Sequence, residues 1–463
     1  MNNRAKLNQR KQNAGKQRHK ISRNQRSSAS ARLLEILVNN RRRRVGGTYA
    51  VCSAHPAVIE AAVQQSLNSG SLLHIESTSS QVNQFGGYTG TTPAQFANWI
   101  GSAAKNAGLP AERVLLGGDH LGPFPWRNEA SASALEKASK LVRDCVAAGY
   151  QKIHLDASMA CADDSQTGIS EETIAARAAL LCRAAEQAHR ELPSGSPQPL
   201  YVVGTEVPAP GGELNESGAP SVTKARDVHR TLKAFQSAFA ELDLEPAWER
   251  VIALVVQPGV EFGADSIFEY DSPQAKSLTG SLSRHEGIVF EAHSTDYQSP
   301  KALRKMVEDH FAILKVGPWL TFAFREAVLA LSAIEGELFA GNSSGRRSQV
   351  REALESAMLG NPSYWRSYYH GKEDDVRRDR IYGYSDRCRY YWADPGVKKE
   401  LDQLLANLTA AKVPLTLISQ YLPHEYEAIR TGILEAAPRE IVQHRILRVL
   451  RIYSDACSIT PSD

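Results

Sequence analysis

At 463 residues, with 42% hydrophobic and 23% charged residues, the chain has the composition of a globular protein with room for one large domain and an extension. No apolar run reaches the length of a membrane span, no secretory-type hydrophobic segment stands near residue 1, and the six cysteines lack C-x-x-C spacing. These features argue against a membrane protein, a disulfide framework and a thiolate zinc site, and the expected compartment is the cytoplasm. The net charge of +3 conceals an asymmetry: residues 1–45 hold 14 of the 54 Lys and Arg but one of the 51 acids, Glu35. That segment reads as a disordered leader. An upstream start or an Arg- and Ser-rich transit peptide are its alternatives, and without an aromatic residue to stack a base it argues little for nucleic acid.

Beyond it, strand-like and helix-like segments alternate. Tyr49–Ser53 reads as a strand, with Pro56 near the first turn of a helix. Leu72–Ser77 is a second strand ending in Glu76, and a Gly-rich loop over 81–90 leads to a helix begun at Thr92-Pro93. The third strand, 114–122, runs Val-Leu-Leu-Gly-Gly-Asp-His-Leu-Gly and precedes a helix over 130–148. Lys152–Ser158, Tyr201–Glu206, Val251–Gln257, Ile288–His293 and Phe311–Val316 complete eight strands, each followed by a helix-compatible stretch. Eight such units over residues 46–340 predict an α/β fold, a (β/α)8 TIM barrel. The rival, a doubly wound open sheet, would want a G-x-G-x-x-G in its first unit, which is absent. From 341 to 463 the pattern is helical only, with aromatic clusters at Tyr364-Trp365, Tyr368-Tyr369 and Tyr390-Tyr391-Trp392. This extension is expected to pack on the barrel or to form an oligomer contact.

The active site of such a barrel lies at the C-terminal ends of its strands. The last residues of the predicted strands are Glu76, Asp119-His120, Asp156, Glu206, Gln257, His293 and Lys315. With side chains alternating in a strand, His154 shares a face with Asp156, and Glu291 shares one with His293. A single ionisable residue there could cap a helix or satisfy a loop; a ring of them makes a poor core and a good metal or sugar-phosphate site. His120, Glu206 and His293 are the expected ligands of a divalent metal, Zn²⁺ or Mn²⁺, with Asp156 or Gln257 nearby. Asp119, Glu206, Asp156 and Lys315 are the expected catalytic groups. Glu76, Gln257, Ser294 and Asp296 are expected to contact substrate. A phosphate needs more positive charge than Lys315 alone, so Arg387 or Arg389 of the extension is expected to reach it. The competing expectation is that both arginines pair with Asp386 or Asp394.

The motifs Cys52-Ser-Ala-His-Pro56, Gln81-Val-Asn-Gln-Phe-Gly-Gly-Tyr-Thr-Gly90, Gly117-Gly-Asp-His-Leu-Gly-Pro123, His154-Leu-Asp-Ala-Ser158, Gly204-Thr-Glu-Val-Pro-Ala-Pro-Gly-Gly212, Val256-Gln-Pro-Gly-Val-Glu-Phe262, Glu291-Ala-His-Ser-Thr-Asp-Tyr297, Leu314-Lys-Val-Gly-Pro318 and Ser385-Asp-Arg-Cys-Arg-Tyr-Tyr-Trp392 resemble one family. It is the class II tagatose-bisphosphate aldolase non-catalytic-subunit family, which includes stand-alone tagatose-6-phosphate 4-epimerases. The resemblance runs from about residue 45 onward. More distantly the chain resembles the zinc-dependent class II aldolases: Asp119-His120 matches their base-plus-ligand pair, Glu206 and the Gly211-Gly212-Glu213 loop their fifth strand, and His293 their seventh-strand ligand. It departs from them at Gln257, where they carry a histidine, and at Ser294-Thr295-Asp296, where they carry a Gly-Gly-Ser phosphate loop.

Two functions follow as expectations. The first is metal-assisted C4 epimerisation of D-tagatose 6-phosphate to D-fructose 6-phosphate by retro-aldol and aldol steps. The second is a non-catalytic role stabilising a catalytic class II aldolase subunit. Both take a small sugar phosphate as the ligand class, with a homo-oligomer or an aldolase subunit as partner. A sugar-phosphate kinase finds no support, since no G-x-x-x-x-G-K-[ST] occurs.

Overall fold

The computed structural model describes residues 28–43, 45–165, 168–205, 220–340 and 346–458. Eight parallel strands close into a barrel: β1 (Thr48–Val51), β2 (Leu73–Thr78), β3 (Val114–Leu121), β4 (Lys152–Leu155), β5 (Leu200–Val203), β6 (Val251–Val255), β7 (Val289–Ala292) and β8 (Phe311–Val316). Neighbours in the barrel are neighbours in sequence, and β1 closes it by pairing with β8 from Thr48–Ile313 to Val51–Val316. The predicted TIM barrel is the fold. Several strands end earlier than the sequence reading has them, so Asp156, Gln257 and His293 stand one or two residues past the ladder, on the mouth loops.

Residues 1–27 and 44 of the basic leader lie outside the described residues, and its described part is helical where disorder is expected. Residues Ala29–Arg43 form helix α1, whose Ala29, Leu33 and Leu37 are buried against Leu72, Leu115, Leu200, Ile252, Val289 and Ile313 at the barrel floor. Asn40 fixes its end by donating to the carbonyls of Gly46 and Val307, each at 2.8 Å. Four arginines at 41–44 mask this apolar stripe in a composition count. The helix seals the floor and leaves the opposite end open.

The residues after β8 begin with α10 (Pro318–Leu338), numbered after the helices that follow β1–β7, and end with α16 (Pro438–Cys457). The last helix returns to the barrel wall: the Gly47 N–H donates to Cys457 O at 3.0 Å, and the Tyr453 hydroxyl to Thr295 O at 2.7 Å. Between them the segment 385–392 is pinned above the mouth. Buried Arg325 of α10 holds Asp386 Oδ1 at 2.8 Å and donates to the carbonyls of Tyr382 and Gly383.

Candidate active site

Successive residues of a strand face opposite sides, so Asp119 and His120 cannot both face the barrel interior from regular backbone. The β3–β4 register shifts between Gly118 and Leu121, and His120 takes a left-handed φ of 47°. This bulge aims both side chains inward. Two glycines around it make room. Gly117 lies between Glu76 and Lys152 in the register, and a Cβ there would sit 2.7 Å from Glu76 Cγ. At Gly122 a Cβ would fall 1.6 Å from Asp156 O. Such strain gathers where a site is built, and Ser294 (φ 52°) and Asp386 (φ 46°) share it.

A buried ionic network lies beneath the mouth. Lys152, wholly enclosed, places Nζ 2.7 Å from both Glu76 Oε1 and Glu291 Oε2. Lys315 Nζ is 2.9 Å from Asp119 Oδ1, 3.4 Å from Glu291 Oε1, and paired with Glu76. Burial works against every one of these charges. The neighbouring carboxylates nevertheless hold Lys315 well above its ordinary value, and the lysines hold Glu76 and Glu291 below theirs. Lys315 is therefore a fixed cation, not an amine nucleophile.

Above it three imidazoles meet. The ring centroids of His120, His154 and His293 lie 4.9 to 5.3 Å apart. Asp156 Oδ2 binds His120 Nδ1 at 2.8 Å and takes the Ser158 N–H and hydroxyl on its other oxygen. Burial lowers the basicity of His120, yet Asp119 and Asp156 hold it above its ordinary value. Burial pushes His293 down to about 4, leaving it neutral. His154 Nδ1 lies 3.0 Å from Asp119 Oδ1 and 3.2 Å from the His120 backbone N–H. Its Nε2 is buried with no hydrogen-bond partner among the described residues.

Asp119, His154, Glu291 and His293 together bring four ligand atoms within 4.8 Å of one another, a buried group able to hold a metal ion. The orphaned His154 Nε2 and the neutral His293 fit that use, because an imidazole binds a metal through a bare nitrogen. Sequence reasoning had not singled out His154 as a ligand, nor Lys152 at all. The period-two face that joins His154 to Asp156 leads back to Lys152 and could have found both.

The cluster opens into a cavity of about 540 Å³. Asp119, His120, His293, Ser294, Asp296 and Lys315 line its barrel side; Tyr364, Tyr368, Arg387, Arg389 and Tyr390 of the extension line the other, with Tyr88 between. The structure thus brings together most of the residues singled out from sequence. Neither arginine forms an ion pair with the carboxylate of Asp386 or Asp394: the Asp386 carboxylate is taken by Arg325 and Thr321, Asp394 caps the helix Pro395–Ala411, and Arg389 Nη1 donates to the backbone carbonyls of Ser385 and Asp386, the latter at 3.0 Å. Arg387 Nη1 and Arg389 Nη2 instead donate to the Tyr390 hydroxyl at 3.2 and 2.9 Å. Although burial raises Tyr390, the two guanidiniums outweigh it and lower its pKa.

Two expectations are corrected. Glu76 does not line the cavity; it sits fully buried below it, because Lys152, Lys315 and His74 hold it there. Gln257 turns its side-chain oxygen to the N–H groups of Gly259 and Val260, at 2.8 and 3.1 Å, and serves the loop. Glu206, with the Gly211-Gly212-Glu213 loop, lies outside the described residues.

Fold and site define a (β/α)8-barrel protein whose mouth joins a buried imidazole–carboxylate cluster to an arginine-bearing helical cover. Residues 33–458 match the family described as D-tagatose-1,6-bisphosphate aldolase subunit GatZ/KbaZ-like, and the chain belongs to that family. It is 48% identical over 412 residues to the D-tagatose-1,6-bisphosphate aldolase subunit GatZ of Klebsiella pneumoniae subsp. pneumoniae, covering 89% of this chain and 96% of that one. The subunit of the same name from Salmonella heidelberg is 47% identical over 424 residues, covering 92% and 99%. The crystal structure of a probable tagatose 6 phosphate kinase from Sinorhizobium meliloti 1021 superposes with a TM-score of 0.80 at 41% identity, covering 89% of this chain and 100% of that one. At family level this links the chain to tagatose and sugar-phosphate metabolism. No helix among the described residues is long and apolar enough to cross a membrane.

Proposed function

We propose that the mouth is a working ketose-phosphate site that inverts C4 of D-tagatose 6-phosphate to give D-fructose 6-phosphate. The observation that carries this is one cavity with Asp119, His120 and His293 on one wall and two guanidiniums on the other. C4 is one carbon too far from the C2 carbonyl for its hydrogen to be acidic, so deprotonation and reprotonation at C4 cannot invert it. Cleavage of C3–C4, rotation of the aldehyde and re-addition can. A divalent cation, Zn²⁺ or Mn²⁺, held by His154 and His293 with His120 and Glu206 as further ligands, would polarise the C2 carbonyl and offset the charge that develops there.

Asp119 takes the C4 hydroxyl proton as C3–C4 breaks and returns it when the bond re-forms. His120, oriented by Asp156, faces the same carbon chain. Arg387 and Arg389 grip the 6-phosphate, which stays on the aldehyde fragment. The fragment is thereby tethered while its carbonyl presents the opposite face. Tyr88, Tyr364, Tyr368 and Tyr390 cover the cavity and keep water from the intermediate. This reading places the protein in the cytoplasm; its candidate assemblies are a homo-oligomer and a complex with a catalytic class II aldolase subunit.

The second reading is a non-catalytic stabilising subunit of a tagatose-1,6-bisphosphate aldolase. The names of the relatives favour it over epimerisation. So does one contact: against the effect of burial, His120 and Lys315 hold Asp119 well below the usual carboxylate range, which weakens it as a base. Incubating the purified chain with D-tagatose 6-phosphate, alone and with Zn²⁺ or Mn²⁺, decides between them. Fructose 6-phosphate from the chain alone supports the first reading; aldolase activity that rises only when a catalytic subunit is added, with no epimerisation, supports the second.

A further inference from the structure

Among the described residues, two carboxylates line the mouth cavity, Asp119 and Asp296. Their surroundings differ. Both oxygens of Asp119 are engaged, Oδ1 by Lys315 at 2.9 Å and His154 at 3.0 Å, Oδ2 by the Cys52 thiol at 3.6 Å. Asp296, on the loop after β7, is 2% exposed and accepts the Gly317 N–H at 3.0 Å and the Trp319 N–H at 2.8 Å, both through Oδ1. Among the described residues its Oδ2 takes no hydrogen bond from another residue, and no cation forms an ion pair with it. The carboxyl group is anchored through one oxygen and keeps the other for a ligand.

Burial pushes the Asp296 carboxyl up to about 6, against its two N–H donors and the charge of Arg389, which act the other way. Tyr297 and Tyr453 of α16 are its other titratable neighbours, and burial keeps both phenols neutral. A carboxyl group that changes charge near neutrality suits proton transfer. Its nearness to Arg389 also fits the substrate. In the reading above Arg389 holds the 6-phosphate, and C4 is only two carbons from C6. A phosphate on Arg389 takes up that positive charge and so drives Asp296 toward its protonated form.

Inversion by cleavage and re-addition sets a requirement that a single base does not meet. Asp119 takes the proton from O4 of the starting epimer, and an oxygen that comes back to the same place restores that epimer. After the aldehyde has turned, O4 lies elsewhere and still needs a proton. The strands that lead to Asp119 and Asp296, β3 and β7, are diametrically opposed in the closed ring of eight.

We propose that Asp296 is a catalytic residue, the acid that protonates O4 when the turned aldehyde is re-attacked, with Asp119 as its partner base. On re-addition C3 bonds to C4, the carbonyl electron pair moves onto O4, and O4 takes the proton from Asp296 Oδ2. Once product has left, the proton held by Asp119 is returned to Asp296 through water, which closes the cycle. This rests on the epimerase reading and adds the second proton carrier that inversion requires.

The test is steady-state kinetics of the full, Mn²⁺-loaded chain and its Asp296→Asn variant on D-tagatose 6-phosphate, with two products followed. Asparagine keeps an acceptor for both N–H groups but has no acidic proton; Asp296→Ser repeats the measurement if the first variant fails to fold. In the wild type, kcat/KM for fructose 6-phosphate should fall about tenfold per pH unit above about pH 6, and kcat should fall at higher pH, where bound phosphate has raised Asp296. The substrate phosphate titrates in the same range, so the alkaline limb is assigned by its loss in the variant. Asp296→Asn should lower kcat for fructose 6-phosphate by about 100-fold or more with little change in KM. It should release glyceraldehyde 3-phosphate, trapped by its dehydrogenase, no more slowly than wild type, because Asp119 carries out cleavage. Fructose 6-phosphate from both proteins at similar rates, or an unchanged alkaline limb, overturns the role of Asp296 and leaves the epimerase reading standing. A folded variant that loses cleavage as well also overturns it. No fructose 6-phosphate from the wild type removes the epimerase reading itself. Infrared difference spectra taken on either side of about pH 6 read the carboxyl without turnover. The wild type should lose a protonated-carboxyl band that Asp296→Asn lacks, and inorganic phosphate should move its midpoint upward; absence of that band overturns the proposal whatever the activity.

Discussion

Replacing Lys152 by Met removes one of the two ammoniums that touch both Glu76 and Glu291, the one with the shorter contact to Glu291. Each contact is 2.7 Å long and none of the three side chains is exposed. At an effective dielectric constant of about 20, each pair has a gross attraction of about 6 kcal/mol, most of which offsets the cost of taking the charges out of water. The net loss when one partner is removed and the others stay buried is about 3–5 kcal/mol. Its pH dependence has a definite sign. In the wild type, burial raises Glu76 and Glu291, but Lys152 and Lys315 outweigh it and hold both below the ordinary carboxylate range. Their contribution is therefore present above the unfolded value of about 4.3 and is lost only as pH falls through the folded one. In the variant, one carboxylate loses its main cation and its pKa rises above the unfolded value, so the folded state gains a proton on acidification. The destabilisation should then be largest near pH 8 and shrink toward about pH 5. Guanidinium unfolding of both proteins at several pH values measures it. A loss under about 1 kcal/mol, typical of an exposed pair, or one that is flat across that range, would refute the reasoning.

Leu33→Ala should destabilise the chain by about 2–5 kcal/mol, because Leu33 is fully buried against the barrel floor, and denaturant unfolding reads this directly. His55 lies against Phe324, ring centroids 4.3 Å apart, and burial lowers its pKa to about 4. A neutral histidine with a depressed pKa contributes stability that is present above about pH 6.5 and lost as pH falls toward 4, so His55→Phe should lose about 1 kcal/mol less than wild type over that interval, allowing for its partial exposure. Urea unfolding at several pH values checks that difference, and parallel curves would contradict it. The Arg387→Ala/Arg389→Ala double variant should raise KM for a ketose 6-phosphate by about 100-fold or more, the effect of losing charge-assisted contacts to phosphate. Unchanged steady-state kinetics would remove the arginines from the site.

The barrel was legible because β1–β8 are short apolar runs punctuated by turns, and a parallel sheet covered on both faces needs no other signal. Asp119, His120 and His293 were legible because ionisable groups at strand ends stand out against that background. Three features were not. The floor-sealing α1 has its Leu33 and Leu37 diluted by neighbouring arginines, so composition spoke louder than periodicity. Gln257 and Glu76 stand at strand ends like the true lining residues, and only the turn at Gly259 and the enclosure by two lysines distinguish them. Lys152 sits at the beginning of its strand, where attention to strand ends does not reach. Its role depends on Gly117 leaving space across β3, a three-strand relation with no local signature.

The most direct test is to follow D-tagatose 6-phosphate by proton NMR in D₂O with the purified chain, metal-loaded and chelator-treated. Cleavage and re-addition across C3–C4 never remove the hydrogen on C4. The account predicts metal-dependent formation of D-fructose 6-phosphate with that hydrogen retained, and its loss in Asp119→Asn. No conversion by the metal-loaded chain, or fructose 6-phosphate carrying deuterium at C4, would contradict it.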